Sequence, residues 1–587
     1  MKLWKSPILY FGVLLVLAVG AALAAPYVVD WGRYRPTIEA YGSDLAGRKL
    51  VVAGPVSARV FPWPRLTLED VRVANVAGAS TPEFLTAERV DIRLSLSGFL
   101  NGSILVEGIE LTRPRIAIER MATGSGNWRV VSSPNLLKTG LLSHIKLDQI
   151  TVRDGTIDLI DARRSGAAEI GSVELILSSP ALGGPWRVRG SGKYKDEPIE
   201  LSIDTGSYRQ DAPFKFGFRV APADGSGLAF SFDGENDGSR VAGQLKIEPA
   251  PQIGGKTDAE GDLRPLVLRA QAASDFDTLE LKKIEIAPRD GEPGANLVSG
   301  EAMVRLGEII GIDAQFTASR FDLDSIAGAR ARKLLREGRA LTLLESVVEG
   351  MPANLEARTE LKIRSLVAGG ETLENVRLDV AVLDGALRIH ELSAGMPGQS
   401  EGLFDGIFLV TDSGPQLAGD VALASQNLRE FVRWAWPEGN EWIATHWTGS
   451  RGRLKLQSRV DLLNDKYRAT EVSFEIDDTH HSGSLAVTGG PEPHTDIVLK
   501  SDTLDLDSFI SGGLLGGTGM ALIQKFTQPV SATKIKPWPH LSLVLTADRL
   551  RLNGTDAHDT TIEIASSAQS LDLRRVDIGR VGDAKLD

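Results

Sequence analysis

Val90-Asp91-Ile92-Arg93-Leu94-Ser95-Leu96 alternates apolar and polar side chains without a slip. Neighbouring side chains on an extended strand point to opposite faces, so this stretch has one apolar face and one polar face. A helix would scatter the same residues around its axis. The rhythm continues on both sides. Upstream, Leu66 and Leu68 are followed by Val71 and Val73, with a phase slip at Glu69-Asp70. Downstream, Ile109 and Leu111 give way to Ile116 and Ile118, and Pro114 restricts that point to a sheet edge or a break. Ile145 and Leu147, Ile150 and Val152, and Ile157 and Leu159 follow, punctuated by Asp148-Gln149 and Asp154-Gly155, which read as turns.

Farther along, Val173, Leu175 and Leu177 alternate, as do Ile199, Leu201 and Ile203. Leu279, Leu281, Ile284 and Ile286 repeat the pattern with one slip. Sixty-one glycines and an aromatic content of only 6% fit many turns between short strands. The fold class is therefore all-β dominated, with a few short helices. One helical insertion is expected over Asp324–Gly350, where Ile326, Leu334, Leu335, Leu341, Leu344, Val347 and Val348 recur at mostly helical spacing. Gly338 divides it. Ala424–Trp434 reads as a passage from strand to helix.

The amino terminus has a different character. Ile8–Ala25 is 18 residues without a charge, and Tyr27, Val28 and Val29 extend it past Pro26. About 20 apolar residues span a bilayer core as a helix, so Ile8, Leu14, Leu17, Leu23 and Val29 are read as membrane-spanning. Trp31 and Tyr34 stand where amphipathic rings favour the membrane interface. The rival is a secretory signal cleaved after Ala22-Leu23-Ala24; apolar character running on to Val29 favours a retained anchor. Trp31, Tyr34, Ile38, Tyr41 and Leu45 then mark one face of a helix starting near Pro36. That face is expected to pack on the following strands. Arg33 and Arg35 alone make a poor basic face for a membrane surface.

The chain also repeats itself. Phe321-Asp322-Leu323-Asp324-Ser325 resembles Leu504-Asp505-Leu506-Asp507-Ser508. Gly370, Gly395 and Gly398 recur as Gly554, Gly579 and Gly582, each 184 positions later. The organisation read from this is an anchor at 1–29, an amphipathic helix at 30–46 and β regions at 47–165 and 166–320. A repeat unit with a helical insertion and hairpins follows at 321–502, and a second, truncated unit at 503–587. The second unit stops where the first continues into another strand, which points to a chain cut short or to an open sheet edge.

Composition narrows the function. A net charge of -12 argues against a nucleic-acid binder, which would show a basic face. The absence of cysteine excludes disulfides and thiolate metal sites. Gly254-Gly255-Lys256-Thr257 lacks the first glycine of a phosphate loop, because position 250 is Ala250. Asp477-Asp478-Thr479-His480-His481 is read as a solvated turn, since adjacent histidines on a strand face opposite ways. The acidic pairs Asp322/Asp324 and Asp505/Asp507 precede helical segments and suit caps better than acid–base chemistry. No Gly-x-Ser-x-Gly or His-Glu-x-x-His motif occurs. No catalytic residue, cofactor or metal site is expected, and the chain is read as a non-enzyme.

Gly47-Arg48-Lys49-Leu50-Val51-Val52-Ala53-Gly54-Pro55-Val56 leads into Phe61-Pro62-Trp63-Pro64-Arg65-Leu66-Thr67-Leu68-Glu69-Asp70-Val71. The alternating strand follows, then Leu111-Thr112-Arg113-Pro114-Arg115-Ile116 and Gly126-Asn127-Trp128. In this order, after an apolar span and Arg33-Tyr34-Arg35-Pro36, the stretch from Met1 to about Leu159 resembles the amino-terminal region of the AsmA family. The resemblance implies a single-pass inner-membrane protein of a Gram-negative envelope, with the bulk of the chain in the periplasm. It implies an elongated, curved, repeating β-sheet groove akin to bridge-like lipid-transfer proteins. The implied function is passive phospholipid transport between inner and outer membrane, with membrane lipids and an outer-membrane component as partners. Val90, Ile92, Leu94, Leu96, Ile145, Leu147, Ile157 and Leu159 would line the groove. The alternative is a periplasmic assembly factor for outer-membrane proteins that carries no lipid.

Overall fold

A computed structural model describes residues 29–59, 63–95, 106–128, 149–163, 167–180, 184–207, 212–237, 240–250, 264–289, 296–327, 340–368, 370–435, 452–463, 466–489, 493–505, 507, 540–552, 554–567, 570–582 and 584–585. The apolar span carrying Ile8, Leu14, Leu17 and Leu23 lies outside them, as do Leu96, Ile145, Leu147, Gly338 and the Gly254–Thr257 stretch. Among the described residues no helix is long and apolar enough to cross a membrane.

The chain forms two compact units. The first comprises Met1–Thr257, Val267–Lys282 and Leu306–Glu308; the second comprises Asp258–Leu266, Lys283–Arg305 and Ile309–Asp587. The first unit carries β1 (Leu50–Val52), β2 (Val56–Arg59), β3 (Arg65–Ala74), β4 (Glu83–Leu94), β5 (Val106–Arg120), β6 (Gln149–Asp161), β7 (Ala167–Ser178), β8 (Arg187–Tyr194), β9 (Glu197–Thr205), β10 (Phe214–Pro222), β11 (Leu228–Asn236), β12 (Val241–Pro249), β13 (Leu266–Ser274) and the start of β14 (Thr278–Pro288). The second carries β15 (Val298–Arg305), β16 (Ile310–Asp322), β17 (Leu355–Ala368), β18 (Glu371–Leu383), β19 (Ala386–Met396), β20 (Ser400–Thr411), β21 (Gly414–Ser425), β22 (Leu454–Leu463), β23 (Lys466–Ile476), β24 (Thr479–Thr488), β25 (His494–Asp505), β26 (Leu541–Leu552), β27 (Thr555–Ser566), β28 (Leu571–Val581) and β29 (Ala584–Lys585). The helices are short: α1 (Arg35–Ala46), α2 (Leu323–Ile326), α3 (Ala340–Glu349) and α4 (Leu428–Ala435).

Within each unit consecutive strands are neighbours. In the first, β1 and β2 both pair with β3, and each strand from β3 to β13 pairs with the next. These pairs are antiparallel, except that β5 and β6 run parallel. In the second, β15 to β29 pair in order, with β16–β17 and β25–β26 parallel. A parallel pair requires a crossover rather than a hairpin, which explains the long connections at 121–148, 323–354 and 506–540. The expected strand-to-helix passage is present, with β21 ending at Ser425 and α4 starting at Leu428.

The slips in the alternation fall at residues with left-handed backbone, and at Asp154, Ser172, Asn375 and Glu471 the pairing register shifts as well. Asp70, Arg113, Asp154, Ser172, Lys283, Asn375, Glu471 and Asp559 all take φ between 47° and 51° inside strands. Each left-handed residue reverses the parity of its strand, so Leu66/Leu68 and Val71/Val73 end on one face instead of two. Two expectations are corrected here. Pro114 lies inside β5, between β4 and β6, beside the left-handed residue Arg113. Asp154-Gly155 is not a turn: β6 runs through it, and the bulge accounts for the polar interruption.

Helix α1 guards an edge. Gly47 ends it with φ 63°. Glu39 Oε1 accepts from the Val52 N–H and Ser43 Oγ from the Leu50 N–H, both at 2.8 Å, so β1 has partners on its unpaired side. Trp31 and Ile38 pack on the core of Val52, Val56, Leu68, Val71, Ala87 and Val90. Tyr34, Tyr41 and Leu45 stay exposed, so only one border of the expected stripe packs. Helix α3 sets Leu341, Leu344 and Val348 on the cluster of Val382, Leu387 and Phe408.

The Asp-Leu-Asp segments act as turn holders. Asp322 accepts from the Ser325 N–H at 2.9 Å, and Asp505 from the Asp507 N–H at 3.0 Å. Asp324 then accepts from the Gly370 N–H and Asp507 from the Gly554 N–H, both at 2.8 Å. Each carboxylate thus pins the hairpin that follows the crossover.

The end of β5 holds a buried polar pin. Asn127 is fully buried: its Oδ1 accepts from the Glu119 N–H, and its Nδ2 donates to the Ala117 carbonyl, both at 2.8 Å. Arg48 donates to the Asn127 carbonyl, and the Glu119 carboxylate accepts from the Ser80 N–H at 2.8 and 2.9 Å. Asn127→Ala leaves a buried N–H and a buried carbonyl without partners, a loss of about 2–4 kcal/mol. Chemical denaturation of the purified protein should show it, whereas Trp128→Phe, at an exposed position, should shift the midpoint little.

Candidate functional site

Cross-strand register builds the most extensive chemical feature of each unit. Directly paired residues share a face. Starting from Ile92, one row passes through Ile109, Ile150, Leu177, Val188, Ile203, Phe218, Phe232 and Leu245 to Ala270. Every member is apolar, from β4 to β13. A second row starts at Val90 and runs through Leu111, Val152 and Leu175 to Gly190, Leu201, Val220, Phe230, Ile247 and Leu268. In the second unit, Phe316, Leu361, Leu378, Leu392, Phe404 and Val421 form such a row, and Ala469, Leu485, Ile497, Leu543, Ile564 and Leu573 another.

The opposite face is ionic. Arg115 reaches Asp158 at 2.6 Å, Arg189 meets Asp204 at 2.7 Å, Arg358 meets Asp379 at 2.9 Å and Arg459 meets Asp420 at 3.0 Å. The hydrogen bond to Asp379 raises the Arg358 pKa, and Asp420 does the same for Arg459. Two clefts of about 810 and 750 Å3 open among residues of this face, the first beside Lys215, Asp233, Gln244 and Gln271, the second beside Arg377, Glu401, Lys455 and Glu475.

The predicted groove residues fall into a gradient. Val90 is 7% exposed and belongs to the core under α1. Ile92 is half-buried against that core, and Leu94, opposite Val106, is half-buried. Ile157 is half-buried against the cluster of Val152, Val173, Leu175 and Val188. Leu159, opposite Ile118, is 39% exposed. On the same face Tyr194, Leu228 and Phe230 are exposed in the first unit, and Leu392, Tyr467, Leu485, Leu573 and Val576 in the second. Of the interface residues, Trp31 is half-buried and Tyr34 exposed.

One reading from sequence is revised. His481 is not part of a solvated turn. The turn is Asp477-Asp478; His480 is exposed opposite Glu475, while His481 is buried opposite Phe474 and stacks on its ring at 4.7 Å. In Gly126-Asn127-Trp128 the buried residue is Asn127, and Trp128 is exposed. A residue that sequence did not single out is Arg120. Its guanidinium donates to the Phe276 carbonyl at 2.6 Å and meets Asp277 at 3.0 Å, and Arg163 joins Asp277. Seven strands separate β5 from the β13–β14 hairpin in the sheet order, so the first unit curls far enough to bring them together. Arg163 and then Arg120 hold the Asp277 carboxyl below the usual carboxylate range.

The gradient makes a direct test of whether the face is sealed. Val90→Asp buries a carboxylate and should unfold the first unit. Leu159→Asp should shift the thermal midpoint by no more than a surface substitution does, within about 0.5 kcal/mol. A large loss for Leu159→Asp would show a covering layer over the face.

No curated protein and no solved structure matches the chain. The AsmA family model matches residues 1–238, a span that holds β1 through β11, both apolar rows up to Phe232 and Phe230, and the Asn127 pin. Over these 238 residues the chain is similar to the AsmA family.

Proposed function

We propose that the apolar sheet face carries lipid acyl chains and that the chain passes phospholipid between the inner and outer membranes. Ile8–Val29 anchors it in the inner membrane, and the strands stand in the periplasm. The observation that carries this reading is the apolar face itself. Exposed leucines, tyrosines and phenylalanines follow one another along it where a sandwich would have buried them. Among the described residues, helical cover is limited to α1 at the first strands, α3 over Val382, Leu387 and Phe408, and the short α2 and α4.

Acyl chains supply the missing layer. A chain of about 16 carbons forfeits roughly 10 kcal/mol if it passes from bilayer to water, at about 0.8 kcal/mol per CH2. A continuous apolar row offsets most of that at each position, while the headgroup stays in water. No bond is made or broken, so no catalytic residue, metal or cofactor is needed.

Lipid mass spectrometry on the protein purified without added lipid tests this. Several phospholipids per chain are expected. Ile92→Asp with Leu94→Asp should remove a share of them while circular dichroism still reports a folded sheet. A folded wild-type protein free of lipid would refute lipid carriage and favour an assembly factor for outer-membrane proteins.

A further inference from the structure

The apolar stripe of α1 is divided lengthwise. Trp31 and Ile38 pack on the core of β1–β4, whereas Tyr34 is 52% exposed, Tyr41 59% and Leu45 43%. At about 100° per residue, Tyr34, Tyr41 and Leu45 fall within about 40° of one another, with Ile38 at their border. Single exposed apolar residues are ordinary on a protein surface. Three in line make a strip about 16 Å long, nearly the length of the helix.

The helix is not free to roll and hide this strip. Arg35 Nη2 donates to the Gly54 carbonyl at 2.8 Å, and Glu39 and Ser43 hold the β1 edge. A Cβ at Gly42 would meet the Leu50 side chain at 2.9 Å, so α1 lies close against β1. These contacts fix one side of the helix on the sheet and leave the tyrosines on an outer flank.

The chain also enters α1 without a slack linker. A 3-10 turn, Trp31–Tyr34, runs directly into the helix. Asp30 holds that turn: its Oδ1 accepts from the Gly32 N–H at 3.0 Å, its carbonyl from the Arg33 N–H at 3.3 Å, and its carboxylate meets Arg33 at 3.5 Å. In sequence, five residues, 26–30, separate the turn from the uncharged run at 8–25. Five residues reach about 17 Å at full extension. With that run in a bilayer, α1 starts at or just outside the headgroup layer.

We propose that the flank formed by Tyr34, Tyr41 and Leu45 lies on the surface of the bilayer that holds the anchor, with the tyrosine rings among the headgroups. Tyrosine suits that position because its ring is apolar and its tip is polar. A helix recruited from solution would need a basic face, which α1 lacks: Arg35 is turned to Gly54, and Arg33 is paired with Asp30. A tethered helix does not need one, because the anchor keeps its effective concentration at the surface high. At the border of the flank, Trp31 and Ile38 pack on the same core as Ile92, Ile109 and Leu111. Apolar side chains therefore run from the bilayer surface to the start of both rows. The inference rests on the anchored, lipid-carrying reading and names where the apolar face meets the membrane.

The chain has no cysteine, so a single-cysteine variant carries one label. Tyr41→Cys, Leu45→Cys, Ala40→Cys on the other exposed flank and Leu17→Cys in the anchor are spin-labelled in the full chain. Each is reconstituted into vesicles of phosphatidylcholine and phosphatidylglycerol. Collisions of the label with oxygen, which concentrates in lipid, and with a water-soluble nickel chelate are then measured. The oxygen-to-nickel ratio at 41 and 45 should exceed that at 40 by about threefold or more. Positions 40, 41 and 45 are exposed, so those variants should fold, which circular dichroism checks. Ratios at 41 and 45 equal to that at 40, with oxygen dominant at 17, overturn the docking and leave the anchor standing. Few collisions with either reagent at 41 and 45 mark a protein cover in place of lipid and also overturn it. Nickel dominant at 17 overturns the anchor, and the docking with it.

Discussion

Everything in this protein depends on keeping one face of a long succession of strands apolar. Side-chain direction alternates along a strand, so a one-residue change of phase would send half of a strand's apolar residues to the ionic side. The left-handed residues Asp70, Arg113, Asp154, Ser172, Lys283, Asn375, Glu471 and Asp559 absorb those changes. Left-handed backbone is tolerable for Asp and Asn, whose short side chains hydrogen-bond locally, and less so for Arg113, Lys283 and Glu471. The strain at those three is offset by the registry it preserves: Ile109 and Leu111 before Arg113 share a face with Ile116 and Ile118 after it.

The consequence is a sheet whose two sides differ in kind. One carries paired arginines and carboxylates, individually weak at such exposure but well suited to water. The other carries a hydrocarbon surface that only partly buries itself. Small residues among the strands let it do so locally. A Cβ at Gly234 or Gly243 would meet the Phe232 ring within 3 Å, and one at Gly406 or Gly419 would meet Phe404 equally closely, so in both units a ring lies across a pair of facing glycines. Elsewhere apolar side chains stay exposed on it.

Polar side chains set the boundaries of this arrangement. Asn127 and Glu119 lock the end of β5, Arg120 carries that end to the β13–β14 hairpin, and Asp324 and Asp507 repeat one anchoring contact in two places. Such groups tolerate little change because their partners are backbone atoms that have no other recourse.

Sequence by itself determined the strand class, the apolar face and the phase slips at Glu69-Asp70 and between Leu281 and Ile284, because period-two alternation is local and needs no partner. It also showed the repeated Asp-Leu-Asp segments and the family resemblance. It misread Asp154-Gly155 as a turn and His481 as solvated, because a bulge and a turn share the same residues and burial depends on neighbours far along the chain. Only the tertiary structure decided which strands lie side by side, and so that Val90 sits in a sealed core while Leu159 remains open. It alone joined Arg120 to Asp277, 157 residues away. Alternation fixes the face a side chain takes; pairing across the sheet fixes what it meets there.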